Sequence, residues 1–129
     1  MRCYILTGIS RKVIEDIVKR AIRTIELRSA HNVATALNIE LGSCVFLTPC
    51  RHFDLDKGAL GVIAEVNGKE SQSHSLIFAS ERYIEESEMT VVRLKITPKG
   101  IGRIKSIYRD GILESTEGDV VEVTYFTAR

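Results

Sequence analysis

An amphipathic helix that runs without a linker into a charged strand is the feature that most limits what this chain can fold into. Val13, Ile14, Ile17, Val18, Ala21 and Ile22 recur at the spacing of one apolar helical stripe. Arg11, Lys12, Glu15, Asp16, Lys19 and Arg20 lie off it. Ser10 is a natural N-cap, because its hydroxyl can accept from a free amide of the first turn. The helix predicted from Ser10 to about Ile22 passes directly into Arg23-Thr24-Ile25-Glu26-Leu27-Arg28. That segment reads as a strand. On it, Glu26 and Arg28 share a face with Thr24, while Arg23 has the other parity. A β-branched, otherwise apolar strand does not need three charges to fold, and charges buried without partners are costly. The triplet is therefore a paired structural cluster or a polar site.

The rest of the chain reads as mostly strand. Residues 2–8 form a first strand and Ala30 to Asn38 a short helix. Leu41-Gly42-Ser43 is a turn. Cys44 to Thr48 is nearly continuously apolar, as in a strand buried on both faces. Pro49 to Lys57 is a polar loop, and Leu60 to Val66 a strand that Asn67-Gly68 closes as a hairpin turn. Ser71 to His74 reads as a loop, Leu76 to Phe78 as a further strand, and Ser80 to Glu88 as a short acidic helix. Thr90 to Thr97 alternates, with Val91, Arg93, Lys95 and Thr97 opposite Val92, Leu94 and Ile96. Pro98-Lys99-Gly100 reads as a turn, and Gly100-x-Gly102 as a turn or bulge. Ile101 to Tyr108 suits a helix or a bent strand, and Asp119 to Thr127 closes the chain as a strand. Six to eight strands with two or three short helices make a single α+β domain over residues 1–129. Strand lengths and glycine turns suit a small mixed β-barrel.

Charge is distributed unevenly although the net is only +1. Residues 1–28 carry a net of +4, and residues 93–109 hold six Lys/Arg and no acid. If the fold joins these segments, they make one positive face suited to an anionic partner. No apolar run approaches the length of a membrane span, and the first strand lacks a signal-peptide pattern. A cytoplasmic protein with no membrane partner is expected. Three cysteines, Cys3, Cys44 and Cys50, without a CxxC pair read as reduced, mostly buried thiols. Tryptophan is absent.

The junction, written Ala21-x-Arg23-x-x-Glu26-x-Arg28, resembles the Gly-x-Lys-x-x-Glu-x-Arg signature of ASCH domains, a branch of the PUA-like superfamily. Leu41-Gly42-Ser43 stands where that family has a Gly-Asp turn, and Gly61 to Val66 matches its next strand. The resemblance covers about residues 1–66. Ala21 replaces the family's glycine, Arg23 its lysine and Ser43 its aspartate. Arginine does not act as a base near neutral pH, so the amidohydrolase activity of lysine-bearing ASCH proteins does not carry over. The resemblance implies a PUA/ASCH-like barrel and an RNA or modified-nucleoside ligand. As a whole, the chain also resembles an uncharacterised archaeal family of unknown function, which implies a cytoplasmic location and assigns no activity.

The leading expectation is a non-enzymatic RNA-binding domain acting in RNA modification or translation. Arg23, Glu26 and Arg28 would line a cleft, because an arginine offers a planar fork to phosphate or a base edge. Arg93, Lys95, Lys99, Arg103 and Lys105, on a hairpin, would track the phosphate backbone. An alternative is a small hydrolase of a modified nucleoside, with Glu26 and His31 as acid–base groups and Arg28 holding an anion. A third is a structural or regulatory protein without a nucleic-acid ligand, its triplet an internal salt bridge. Cys44, Cys50 and His52 offer soft ligands but match no common zinc spacing. No cofactor or metal is expected, and the sequence leaves the oligomeric state open.

Overall fold

The apolar periodicities of the sequence resolve into six strands and two helices in a computed structural model. It describes residues 1–19, 23–79, 84–110 and 115–126, with backbone alone at 74–79, 84–89, 110 and 125. The order is β1 (Arg2–Leu6), α1 (Arg11–Val18), β2 (Thr24–Leu27), α2 (Ala30–Leu37), β3 (Cys44–Leu47), β4 (Leu60–Ala79), β5 (Ile84–Asp110) and β6 (Ser115–Tyr125). A short 3-10 turn, His52–Asp54, lies between β3 and β4. All six strands join one mixed sheet in the order β2-β5-β4-β3-β1-β6. The pairings close on themselves, because β5 also pairs with β6. Among the described residues, only β1 and β3 run parallel as neighbours. Among the described residues, no helix is long and apolar enough to cross a membrane.

Alternation sends the strand side chains into two cores. Leu6, Val45, Leu47, Val62, Ala64 and Leu94 pack with Ile17 of α1, Val33 and Ala36 of α2, and Ile25 and Leu27 of β2. Their neighbours of opposite parity, Ile5, Phe46 and Ile63, pack with Ile104 and Val120. Strands β1, β3 and the first part of β4 are thus buried on both faces, as the near-continuous apolar run at Cys44 to Thr48 requires. Burying a side chain such as Phe46 contributes about 2–3 kcal/mol.

Both helices start at serines. Ser10 Oγ accepts from the Val13 amide at 3.1 Å, and Ser29 Oγ from the Asn32 amide at 3.3 Å. The far end of α2 is closed by a residue distant in sequence. Lys69 Nζ donates to the carbonyls of Ala36, Leu37 and Ile39 at 3.3, 3.0 and 2.9 Å. A cation there complements both the orphan carbonyls and the helix dipole.

Several expected breaks are absent because pairing overrides local turn chemistry. Asn67-Gly68 is a register shift inside β4, where Asn67 Nδ2 donates to Thr97 Oγ1. Ser71 to His74 belongs to β4, and His74 pairs with Met89 by backbone. Residues 84–88, expected as helix, are strand, while 80–83 lie outside the described residues, as do 20–22 at the expected end of α1. Pro98-Lys99-Gly100 stays in β5, with Lys99 the extra residue of a bulge: Ala64 pairs with Pro98 and Ile63 with Gly100. Residues 101–108 are strand. Gly102 does not turn the chain but borders a register shift in the β5–β6 pairing, where Ile101 stands opposite Thr124 and Gly102 opposite Glu122. A Cβ there would meet Ile63 Cδ1 at 2.6 Å and Val120 Cγ1 at 2.7 Å, so close packing demands glycine.

The reading of three reduced thiols is corrected. Cys3 and Cys44 form a disulfide, with Cα atoms 4.7 Å apart. The parallel register, Tyr4 opposite Val45, brings the two cysteines side by side, a proximity that a separation of 41 residues conceals. Cys50 is the free thiol.

Candidate nucleotide-binding cleft

Antiparallel pairing of β2 with β5 joins the two basic segments. Glu26 stands opposite Arg93 and Thr24 opposite Lys95. Arg28 Nη2 lies 3.0 Å from Glu26 Oε2, and Arg93 Nε 3.5 Å from Glu26 Oε1. One carboxylate is therefore shared by two guanidinium groups, a set with a net positive charge. The Arg28 hydrogen bond, aided by the charges of Arg28 and Arg93, holds the Glu26 carboxyl below its usual range. Arg23 is not part of this set. Its carbonyl accepts from the Ile96 amide at 2.7 Å and extends the β2–β5 pairing, and its residue does not line the cleft.

The cleft, about 610 Å³ in volume, opens beside Glu26 and Arg28. Three segments converge on it: Thr7 to Ser10 after β1, Arg28 to Asn32 after β2, and Arg51 to Phe53 after β3. Local bonds explain the convergence. Gly8, at φ +63°, turns the chain out of β1, and its amide donates to the Cys50 carbonyl at 2.8 Å. The Ile9 amide donates to the Thr48 carbonyl at 3.0 Å. Buried Asn32 then ties α2 to the same loop: its Oδ1 accepts from the Thr7 amide at 2.9 Å and its Nδ2 donates to the Thr7 carbonyl at 2.7 Å.

An aromatic cluster forms one wall. His31 and His52 stack with ring centroids 3.8 Å apart and planes 7° from parallel. Phe53 meets both edge-on, at 5.4 and 5.2 Å, yet is 84% exposed. Arg109 Nη2 donates to the His52 carbonyl at 3.2 Å and anchors this turn to β5. Burial, followed by the nearby charges of His31 and Arg109, pushes the His52 imidazole below its usual pKa, which favours the neutral ring at neutral pH.

The basic residues of β5 do not act as one group. Arg93 joins Glu26, and Lys99 Nζ lies 3.6 Å from Glu65 Oε2. Arg103 and Lys105 line a separate hollow of about 390 Å³ with Val121 and Val123. They sit on the same continuous strand as Arg93, not on a hairpin, and roughly 30 Å of extended chain separates the two groups. The Cys44, Cys50 and His52 set is dismantled, because Cys44 is in the disulfide. Among the described residues, no group of three His, Cys, Asp or Glu is placed to hold a metal ion.

Comparison with known proteins adds a family. Residues 1–118 match the family described as "Protein of unknown function (DUF473)". The chain belongs to that family. A relative with the printed name "Uncharacterized protein MJ0105", from the archaeon Methanocaldococcus jannaschii, is 28% identical over 103 residues. The match covers 80% of this DUF473 chain and 64% of the relative, so the chain spans less than two thirds of that protein's length. The resemblance to an uncharacterised archaeal family thus becomes membership of DUF473.

Of the cleft-lining residues in this DUF473 chain, sequence reasoning placed Glu26 and Arg28 in a cleft, named His31 only as an alternative acid–base group and His52 only as a soft metal ligand, and did not single out Arg51 or Phe53. One signal was available: Phe53 is a large aromatic between charged or titratable neighbours in the loop from Pro49 to Lys57.

Proposed function

We propose that the cleft binds a nucleotide of RNA, and that the domain works in RNA modification or translation. The observation that carries this reading is the composition of the cleft wall: an exposed aromatic, Phe53, over a histidine stack, beside Arg28 and Arg51. A base has a π-face to stack on such a wall, and stacking contributes about 1–3 kcal/mol per base. The arginines suit the phosphate or the base edge. The volume lies within the range of small-molecule and cofactor sites. Solvent screens exposed ion pairs of the Glu26 kind and they contribute little, so stability is a weak reason for this set. The helix leading to a strand with Arg23, Glu26 and Arg28, together with the closed ring of pairings, supports reading the sheet as a small PUA/ASCH-like barrel. A cytoplasmic location belongs to the same reading.

The hydrolase alternative asks Glu26 to act as a base. Its two arginine partners lower its affinity for a proton and oppose that role.

Binding of fluorescent tRNA and a random single-stranded RNA at two salt concentrations tests the proposal. Micromolar or tighter binding that weakens with salt is expected. Phe53→Ala and Arg28→Ala should each weaken it by about 1–3 kcal/mol. A Lys105/Arg103→Ala double variant should weaken it less, because those residues line another hollow. Absence of binding at low salt, or loss only in the double variant, refutes the cleft as the site.

A further inference from the structure

The polar face of β2 carries information about which base the cleft takes, an inference that rests on the cleft being a nucleotide site. A carboxylate has about four lone-pair positions. Among the described residues, Arg28 engages Oε2 of Glu26 and Arg93 engages Oε1, and each oxygen keeps an acceptor position beyond that bond. Glu26 lines the cleft and is ionised under its two arginines. Two neighbouring acceptors, with no donor between them, complement two neighbouring N–H donors.

Among the four RNA bases, guanine alone presents that pair on its Watson–Crick edge, as N1–H beside the N2 amino group. Adenine and cytosine place a ring nitrogen acceptor next to their amino group, and it would face a negative oxygen. Uracil flanks its one N–H with two carbonyls, which meet the same repulsion. Arg28 adds the complementary element. Of its five N–H donors, one is given to Glu26 within the described residues, leaving others to reach the guanine O6. Arginine to guanine O6 and N7 is a favourable bidentate geometry.

We propose that the cleft selects guanine, as a free nucleotide or as an unpaired residue of RNA. Glu26 accepts from N1–H and N2–H, Arg28 donates to O6, and Phe53 with the His31–His52 stack covers a ring face. Arg93 orients the Glu26 carboxylate without touching the base.

Calorimetric titration of the whole chain with GMP, IMP, AMP, CMP and UMP tests this. GMP should bind about tenfold to a hundredfold more tightly than AMP, CMP or UMP. IMP, which lacks only the N2 amino group, should fall between. Glu26→Gln replaces one acceptor by a donor and should erase the GMP preference, so that GMP no longer binds more tightly than AMP, CMP or UMP. Its far-ultraviolet dichroism and melting curve show whether the fold is kept, and the GMP-against-IMP comparison needs no variant. Equal or tighter binding of another base, or a GMP preference that survives Glu26→Gln, overturns the assignment. If RNA binds at the cleft without guanine preference, this inference alone falls. If neither nucleotides nor RNA bind, the cleft reading falls with it.

Discussion

Replacing Asn32 by alanine tests how the cleft is held open. Asn32 is 6% exposed, and Thr7, which it clamps, is 5% exposed. The side chain satisfies both backbone groups of Thr7, at 2.9 and 2.7 Å. Alanine leaves a buried N–H and a buried C=O without partners. Each such group costs about 1–3 kcal/mol, and a water entering the vacated space recovers part of that. The expected loss is about 2–4 kcal/mol, on the order of 10 °C in melting temperature for a domain of this size. The cap bond from the Asn32 amide to Ser29 Oγ does not use the Asn32 side chain, so α2 keeps its start. Urea unfolding followed by far-ultraviolet dichroism measures the loss, since the chain has no tryptophan. Asn32→Asp sharpens the test. It keeps the acceptor for the Thr7 amide but places a carboxylate oxygen against the Thr7 carbonyl. Only the protonated acid can donate there, so its folded pKa should exceed the unfolded value of about 3.9. A raised folded pKa gives stability that is present at low pH and lost as pH rises through it. The deficit against the wild type should therefore widen from pH 4 to pH 8. A loss under about 0.5 kcal/mol for Asn32→Ala, or a pH-independent deficit for Asn32→Asp, refutes the clamp.

Lys69→Met removes a cation from three carbonyls at the end of α2 and should cost about 1–2 kcal/mol in the same urea assay; no change would show that water serves those carbonyls equally well. Gly102→Ala drives a Cβ against Ile63 and Val120 and should cost about 1–3 kcal/mol by overpacking, with a neutral melting temperature the contrary result. Carbon-detected NMR titration should find Glu26 below its usual carboxylate pKa, and Arg28→Ala should move it upward because Arg28 is the largest cause. A depressed folded pKa means that this pair stabilises above the unfolded value of about 4.3 and is lost as pH falls through the folded one. Reducing the Cys3–Cys44 disulfide releases a separation of 41 residues and should lower stability by up to about 4 kcal/mol on the chain-entropy estimate; thiol titration of the untreated, unfolded chain finding three free thiols instead of one would refute the crosslink.

Local pattern carried much of the fold into view. The stripe from Val13 to Val18 formed α1, the alternation at Thr90 to Thr97 formed strand, and the apolar run at Cys44 was buried on both faces. Glu26 and Arg28 could be placed on one strand face because a strand has period two. The errors share a cause. Asn67-Gly68 and Pro98-Lys99-Gly100 have the composition of turns, yet each lies within the β4–β5 pairing as an irregularity. A long ladder supplies hydrogen bonds that outweigh a local preference to turn, and a bulge absorbs the misfit.

Sequence by itself determined the residue types available: an amphipathic helix, a strand with Arg23, Glu26 and Arg28, and basic residues clustered in two segments. Periodicity is a property of neighbours along the chain, so these could be read directly. Only the tertiary structure decided which of them meet. The β2–β5 register put Arg93 on Glu26 and left Arg23 outside the cleft. The parallel β1–β3 register joined Cys3 to Cys44, and the start of α2 met the turn after β3 to bring His31 together with His52 and Phe53. Such contacts arise from closure of a sheet between segments distant in sequence, and no local pattern of residues encodes them.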